Sequence, residues 1–444
     1  MSSLLHDPSV MIVFSYALTG LGHLRVTDAL YRGISEGARP LTIYSQDTSI
    51  SSIHRFMSIH PVTRMFLEWT QQGTFEWVFA KAYRHILRKR TGILRKQLLT
   101  LLNVRFNPPE QVVFVTTHFF MAHQLAAVKK SLEKTTGLKL YLVVQVTDDS
   151  PQQFWYVDGA DLIVVPSHRT RKRLERFGRK EKLPVVTFTV VPYPISPYLS
   201  QTCSADQYND RMTQLTHASA EAVHVSIPIS GAAVGLEFYT HLMARLHAYD
   251  RRFVFHIVSK EAPFTAQFLY RTRRKHYAQV MSSAQDKTVV EMYEALYRST
   301  VVGFEVTKPS EQAFKVLASP RRLGGAIMLF TKPVGRQEYD NLNFLERHFL
   351  IPGMEEQELL WDMARNNAVF AKTNHYRGVR IPDNPYEAAS FIIWCWKQGV
   401  FRRMGLYTRP HLEGDHHEDE LGPDGVKRFW GKVEEMLHFP ARVG

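Results

Sequence analysis

Strand-length runs of β-branched and aliphatic residues alternate with longer amphipathic stretches along most of this chain, and the alternation occurs twice. In the first half the apolar runs lie at 11–16, 41–45, 112–116, 140–146, 162–166 and 185–191, with helical patterning in most of the intervals. Strands that alternate with helices pair in parallel through crossovers, and a parallel sheet needs helices over both faces. A Pro- and Ser-rich stretch, VVPYPISPYLSQTCSADQ, then breaks the pattern, and 192–207 reads as a connector. The alternation restarts at AVHVSIPIS (222–230), where 231–235 opens a helix through 248, and continues with FVFHIVS, VVGFEV and AIMLF. From 384 onward, PYEAASFIIWCWKQGVF and VKRFWGKVEEML read as two helices separated by a polar, acidic segment. The expected organisation is α/β: one domain over 1–200, a second over 215–383, and a helical segment over 384–444. With 45% hydrophobic residues in 444, the chain can furnish two cores.

The formal charge of +13 points to an anionic partner: nucleic acid, an anionic membrane surface or a phosphate-bearing substrate. The two cysteines, Cys203 and Cys395, are too far apart for a disulfide framework or a zinc pattern, so a reducing compartment is expected. The start of the chain carries His6 and Asp7 without a basic stretch, which is unlike a signal peptide. No uninterrupted apolar run reaches the ~18 residues of a spanning helix, so membrane contact would be from the surface.

The sharpest local signal is Gly20-Leu21-Gly22-His23-Leu24-Arg25, placed where the first apolar run hands over to a helix. Glycines at such a turn let a ligand approach the backbone, and the following helix offers free N–H groups to an anion. His23 adds an imidazole able to take a proton from an alcohol near neutral pH. The alternative is a tight turn with a capping histidine. Asp148 falls at the carboxyl end of the run 140–146, where ligands of open parallel sheets bind, although Asp149 beside it also suits a cap or turn. In the second half, Ser230-Gly231-Ala232-Ala233 forms a phosphate-sized turn. Thr307-Lys308-Pro309-Ser310 follows a strand, with Pro309 in the first turn of a helix and Lys308 placed to meet phosphate charge. Gly335-Arg336-Gln337-Glu338 follows the next strand, with Asn341 one helical turn on. His118 and His123 are too widely spaced to share a helix face as metal ligands and read as structural or acceptor-lining residues. The acidic DHHEDE at 415–420 reads as a solvated loop.

Taken in order, Gly-x-Gly-His-x-Arg, Val-Thr-Asp, Ser-Gly-Ala, Thr-Lys-Pro-Ser and Gly-Arg-Gln-Glu-x-x-Asn resemble the glycosyltransferases of the monogalactosyldiacylglycerol synthase and processive diacylglycerol glucosyltransferase group, which are glycosyltransferase family 28-like. The resemblance covers most of 10–350. It implies the GT-B fold: two Rossmann-like domains facing a cleft, with C-terminal helices crossing back to the N-terminal domain. It further implies an inverting transfer from a nucleotide-sugar, UDP-linked, to a lipid acceptor such as diacylglycerol, with no cofactor or metal. Carried over residue by residue, His23 and Asp148 are the candidate catalytic groups. Gly22, Ser230, Gly231, Ala232, Lys308, Ser310, Glu311, Gln337, Glu338 and Asn341 are the candidate donor-binding residues. The chain departs from the pattern where Lys315 stands near the place of a ribose-binding glutamate, with Glu311 a possible substitute, and where Gln152 and Gln153 precede Trp155.

Between Trp77 and Phe106 the chain holds eight Lys or Arg and no Asp or Glu, interleaved with aromatic residues. Trp77, Arg84, Arg88, Lys89, Arg90, Arg95 and Lys96 are therefore candidate membrane-binding residues, since basic amphipathic segments suit anionic lipid. HRTRKRLERFGRKEK and YRTRRKH are further basic groups. No zinc-finger, RRM or helix-turn-helix pattern supports nucleic acid. The expected location is the cytoplasm, peripherally on the cytoplasmic face of a membrane. Rival readings are a GT-B enzyme with a soluble or polyprenyl-phosphate acceptor, a sugar-nucleotide epimerase, and a GT-B protein that binds without turnover.

Overall fold

The computed structural model describes residues 5, 7–16, 21–34, 40–44, 88, 91–103, 109–370, 376–407 and 418–438. The chain divides into two compact units, Met1–Pro197 with Glu418–Gly444, and Tyr198–His417.

In the first unit β1 (Val10–Tyr16), β2 (Leu41–Tyr44), β3 (Gln111–Thr116), β4 (Lys139–Gln145), β5 (Leu162–Val165) and β6 (Phe188–Val190) form one sheet in the order β2-β1-β3-β4-β5-β6, paired in parallel throughout. The inner strands read as unbroken apolar runs because both faces are covered. Among the described residues before 198, the helices that accompany them are α1 (Leu21–Arg32), α2 (Gly92–Asn103), α3 (Phe119–Thr136) and α4 (His168–Lys180). Leu94, Leu98 and Leu102 recur at helical spacing and are the buried face of α2. The run expected at 185–191 shrinks to β6, since Pro184 precedes it and Val185 is 98% exposed.

The second unit opens with α5 (Ala205–Gln214), whose Ser204 and Gln207 form a reciprocal cap. Its strands are β7 (Val223–Pro228), β8 (Phe253–Lys260), β9 (Ala278–Ser283), β10 (Phe304–Thr307), β11 (Ile327–Phe330) and β12 (Gly378–Arg380). They pair in parallel in the order β12-β11-β10-β7-β8-β9. Numbered within the unit from its first strand, this is 3-2-1-4-5-6, the Rossmann order. Its helices are α6 (Leu236–Tyr249), α7 (Pro263–Arg273), α8 (Asp286–Ser299), α9 (Arg336–Arg347), α10 (Met354–Arg365), α11 (Pro385–Lys397) and α12 (Val400–Leu406). The sequence reading lacked β9 and β12. The first is a half-exposed, largely polar edge strand, and the second is a short edge strand with no apolar run to announce it.

The segment expected to cross back, 384–444, divides. Phe391, Trp394, Trp396, Phe401 and Met404 of α11 and α12 lie in the core of the second unit. Only α13 (Gly425–His438) and the residues around it rejoin the first. There Trp430 Nε1 donates to Leu30 O at 3.0 Å and its ring packs edge-on against Phe14 at 6.0 Å. Gly425 permits the approach, because a Cβ would stand 2.2 Å from Pro192 O. The acidic run read as a solvated loop is also engaged where it is described. Glu420, 1% exposed, accepts from His168 N at 2.8 Å, and Asp419 pairs with His168 Nε2 at 2.5 Å. Carboxylates at the start of α4 satisfy N–H groups that a helix leaves open. Two α/β units with a C-terminal helix returned to the first agree with the expected fold class. Among the described residues no helix is long and apolar enough to cross a membrane.

One histidine pair is expected to make the stability of the second unit depend on pH. His224 Nδ1 lies 2.9 Å from His256 Nε2 across β7 and β8. Burial lowers His256 to about 4, and the adjacent His224 adds to the effect. The unfolded chain therefore takes up a proton as pH falls from about 6.5 to about 4 while the folded chain does not. Stability is expected to fall over that window, by ~3 kcal/mol from this residue. Urea midpoints at pH 7 and pH 4.5 should show the loss, and His256→Gln should flatten it.

Candidate active site

Ligands of open parallel sheets bind beyond the carboxyl ends of the strands, where the connections part to opposite sides. In the first unit that point lies between β1 and β3, because β2 and β3 flank β1. Helix α1 starts there, with Gly22 and His23 in its first turn, while Gly20 lies outside the described residues. His23 Nδ1 is 2.8 Å from Thr117 O, just past β3. A carbonyl only accepts, so Nδ1 carries the ring proton and the lone pair sits on Nε2. Thr147 Oγ1, past β4, is 3.2 Å from the same nitrogen, and Tyr193 OH holds Thr147 by donating to its carbonyl at 2.9 Å. Thr117 Oγ1 also donates to His23 O at 3.1 Å, so both ring and backbone of His23 are tied to one residue.

His118 is the N-cap of α3: its Nδ1 accepts from Phe120 N at 3.2 Å. Its ring stacks on Phe119 and meets His23 edge-on, with centroids 4.5 Å apart. His123 is fully buried, with Nε2 donating to Phe154 O at 2.9 Å. Asp148 is half-buried beside Thr147. The neighbouring Asp149 is buried and accepts from Thr170 Oγ1 at 2.8 Å and from Ser167 Oγ, the cap of α4. The two adjacent acids thus differ: Asp149 secures the start of α4, and Asp148 stands next to the residue that touches His23.

In the second unit the connections part between β7 and β10. The turn after β7 holds Ser230, Gly231 and Ala232, closed by Ala233 N donating to Ser230 O at 2.9 Å. Its left-handed positions include Ala233 (φ 48°) and Gly235 (φ 86°). Gly235 is the N-cap of α6 and supplies no side chain to the helix N–H groups. The loop after β10 holds Lys308, which is nearly buried and faces Glu338 at 3.8 Å. Glu338 also accepts from Val334 N at 2.7 Å, ordering the turn before α9. Asn341, fully buried, donates from Nδ2 to Pro309 O at 3.2 Å. Its amide therefore holds the Lys308 loop in place. Ser310, Glu311 at the start of a 3₁₀ helix and Gln337 in the first turn of α9 are half-buried and close in sequence to these residues. Tyr239 of α6 is buried, which pushes its phenol up to about 12 although Thr331 hydrogen-bonds it.

One expectation is corrected here, and one departure from the family pattern finds its role. No α-helix begins at Pro309: a short 3₁₀ helix, Glu311–Leu317, follows with Ser310 as its cap, so no helix terminus of useful length meets a phosphate there. Lys315 does not point to a ligand. Its Nζ is buried, 2.6 Å from Glu305 Oε2 of β10 and 2.7 Å from Tyr293 OH, with Tyr297 OH also in contact. Burial, with Glu305 adding to it, raises Tyr297 well above the ordinary phenol range and keeps it a donor to Glu305 at 2.6 Å. Sequence reasoning missed this cluster because Lys315, Glu305 and the Tyr293–Tyr297 pair of α8 lie on three separate elements.

Of the basic stretch, Trp77, Arg84, Lys89 and Arg90 lie outside the described residues. Arg88 is committed to Asp158, pairing with its carboxylate and donating to its carbonyl at 3.1 Å. Arg95 reaches Thr135 Oγ1 at 3.3 Å, and Lys96 is exposed. More exposed cations line α4 (Lys172, Arg173, Arg176) and the end of α7 (Arg271, with Arg274 as its C-cap), where Arg274 lies 4.6 Å over the exposed ring of Tyr270.

No protein-family model and no curated protein matches this sequence. Among solved structures, a UDP-glucosyltransferase from Polygonum tinctorium, in complex with 3,4-dichloroaniline, aligns at 12% identity over 96% of this chain and 99% of that one, with a TM-score of 0.47. MurG of Acinetobacter baumannii aligns at 11% identity over 96% and 100%, with a TM-score of 0.42. A UDP-GlcNAc 2-epimerase from Neisseria meningitidis, bound to UDP-GlcNAc, aligns at 9% over 97% and 99%, with a TM-score of 0.44.

Proposed function

We propose that this protein is a glycosyltransferase that moves a sugar from a UDP-linked donor to a lipid alcohol at an anionic membrane surface, with inversion and without a metal ion. The observation that carries the reading is the contact of His23 Nδ1 with Thr117 O at 2.8 Å, from which the tautomer follows. At the switch point of a parallel sheet, an imidazole is held with its proton on Nδ1 and its lone pair on Nε2, the state a general base needs. The acceptor hydroxyl gives its proton to Nε2 as its oxygen bonds to the anomeric carbon. The bond from that carbon to the phosphate oxygen breaks, and its electron pair leaves with UDP. Asp148 is the second candidate base and also suits stabilising the imidazolium. The growing charge on the diphosphate is met by Lys308 and by the N–H groups of the Ser230–Gly235 turn and the start of α6. Glu338 and Asn341 hold the Lys308 loop, while Ser310, Glu311 and Gln337 are placed to contact ribose or sugar. The +13 charge and the exposed cations of α4 and α7 support an anionic surface as partner.

The direct test is incubation with a panel of UDP-sugars and total membrane lipid, followed by mass spectrometry for a hexose or acetamidohexose increment on any lipid. An increment on a soluble alcohol alone would refute the lipid acceptor, and none on any acceptor would refute transfer. Lys308→Met is expected to weaken UDP binding by roughly ten- to a hundredfold, the worth of one charge-assisted hydrogen bond. Calorimetric titration with UDP that shows an unchanged affinity would remove Lys308 from the site.

A further inference from the structure

We infer that His118 is a positioning residue: it caps α3 with a neutral acceptor against the His23 ring, where an acidic cap would favour charge on His23. Helix N-caps are ordinarily Ser, Thr, Asp or Asn. Here the acceptor is His118 Nδ1, taking the N–H of Phe120 at 3.2 Å. In that role Nδ1 cannot carry a proton without losing the cap, so the cap itself opposes charging of His118. Its ring, stacked on Phe119, presents its edge or face to His23 at a centroid distance of 4.5 Å. An aspartate would cap the helix equally well but would set a carboxylate beside His23, within the range at which an opposite charge favours protonation. A protonated His23 has no lone pair to offer.

The remaining surroundings divide. The positive ends of α1 and α3 both lie at this point and disfavour an imidazolium. Among the described residues, the ionisable groups on the elements that meet here include His118 and His123 of α3, Asp148 beyond β4 next to Thr147, and Arg25 and Asp28 of α1. A carboxylate close by favours charge on an imidazole and a cation opposes it, and a neutral cap adds nothing to the favourable side. The catalytic meaning of this device rests on the reading of His23 as the base, but its physical content does not require turnover to be measured.

The test is an NMR titration of the full chain labelled with ¹³C-histidine, with the His23 and His118 signals assigned through His23→Asn and His118→Asn. His118→Asn keeps a neutral cap acceptor and is expected to leave the His23 midpoint nearly unmoved. His118→Asp is expected to raise that midpoint by about one unit or more. In the unsubstituted protein the His118 signal is expected to hold its neutral form throughout the range in which His23 titrates. A His118 signal that titrates like an exposed imidazole would overturn the inference without any variant. So would an Asp variant that leaves His23 unmoved, or an Asn variant that shifts it equally far. With an active acceptor, the acid limb of the kcat/KM profile should follow His23 upward in His118→Asp. If His23→Ala proved fully active, the base reading would fall while the titration result stood.

Discussion

Lys315→Met is expected to destabilise the protein by about 3–5 kcal/mol, the cost of leaving a buried carboxylate without its partner. Glu305 is fully buried on β10, and the Lys315 side chain that neutralises it is 2% exposed. Removing the ammonium leaves Glu305 with Tyr293 and Tyr297, which donate at 2.7 and 2.6 Å but carry no charge. The reverse change, Glu305→Gln, is expected to cost less, because a lysine can shed its proton and remain bonded to the two phenols. The double variant Lys315→Met with Glu305→Gln should recover most of the loss, since neither charge then remains buried. Urea unfolding followed by fluorescence, with the single and double variants side by side, measures the coupling. A single-variant loss below ~1 kcal/mol would show that water reaches Glu305, contrary to the packing. The same pair ties the 3₁₀ helix to β10, so the variants should also loosen the Lys308 loop between them.

The fold was legible where the physics is local. Buried parallel strands such as β3 and β4 are covered on both faces and announce themselves as apolar runs, and the spacing between them leaves room only for helices. The edge strands β9 and β12 escaped because an edge is half-solvated or brief, so its composition resembles that of a loop. The candidate site was read from its turns. Glycine and small residues at strand ends mark backbone that something approaches, and His23, Ser230 and Lys308 each follow a strand that borders a switch point. Charged residues were the illegible part. Arg88 read as a membrane contact, Lys315 as standing near the place of a ribose-binding glutamate and Glu420 as part of a solvated loop, yet each is engaged by a partner on another element. Only the tertiary structure reveals such partners, because charge patterning along the chain is the same whether a cation faces water or a buried carboxylate. The acidic run before α13 illustrates the point: Glu420 meets His168, 252 positions away.

The second large effect concerns turnover. A positioned general base contributes roughly 10²- to 10⁴-fold to proton transfer, so His23→Ala should lower kcat/KM by that factor. His23→Gln should fare no better, since an amide can hydrogen-bond Thr117 O but accepts no proton. Thr147→Val, which removes the hydroxyl near Nδ1, should cost far less, because Thr117 O still fixes the tautomer. The loss should fall in kcat and leave donor binding intact, because Lys308 and the Ser230–Gly235 turn belong to the other unit. The most direct measurement is therefore a paired one on His23→Ala: UDP affinity by calorimetry and sugar transfer by mass spectrometry on the same preparation. The account predicts UDP binding close to that of the parent protein, with transfer reduced at least a hundredfold or so. Undiminished transfer, or an affinity for UDP that collapses together with it, would contradict it.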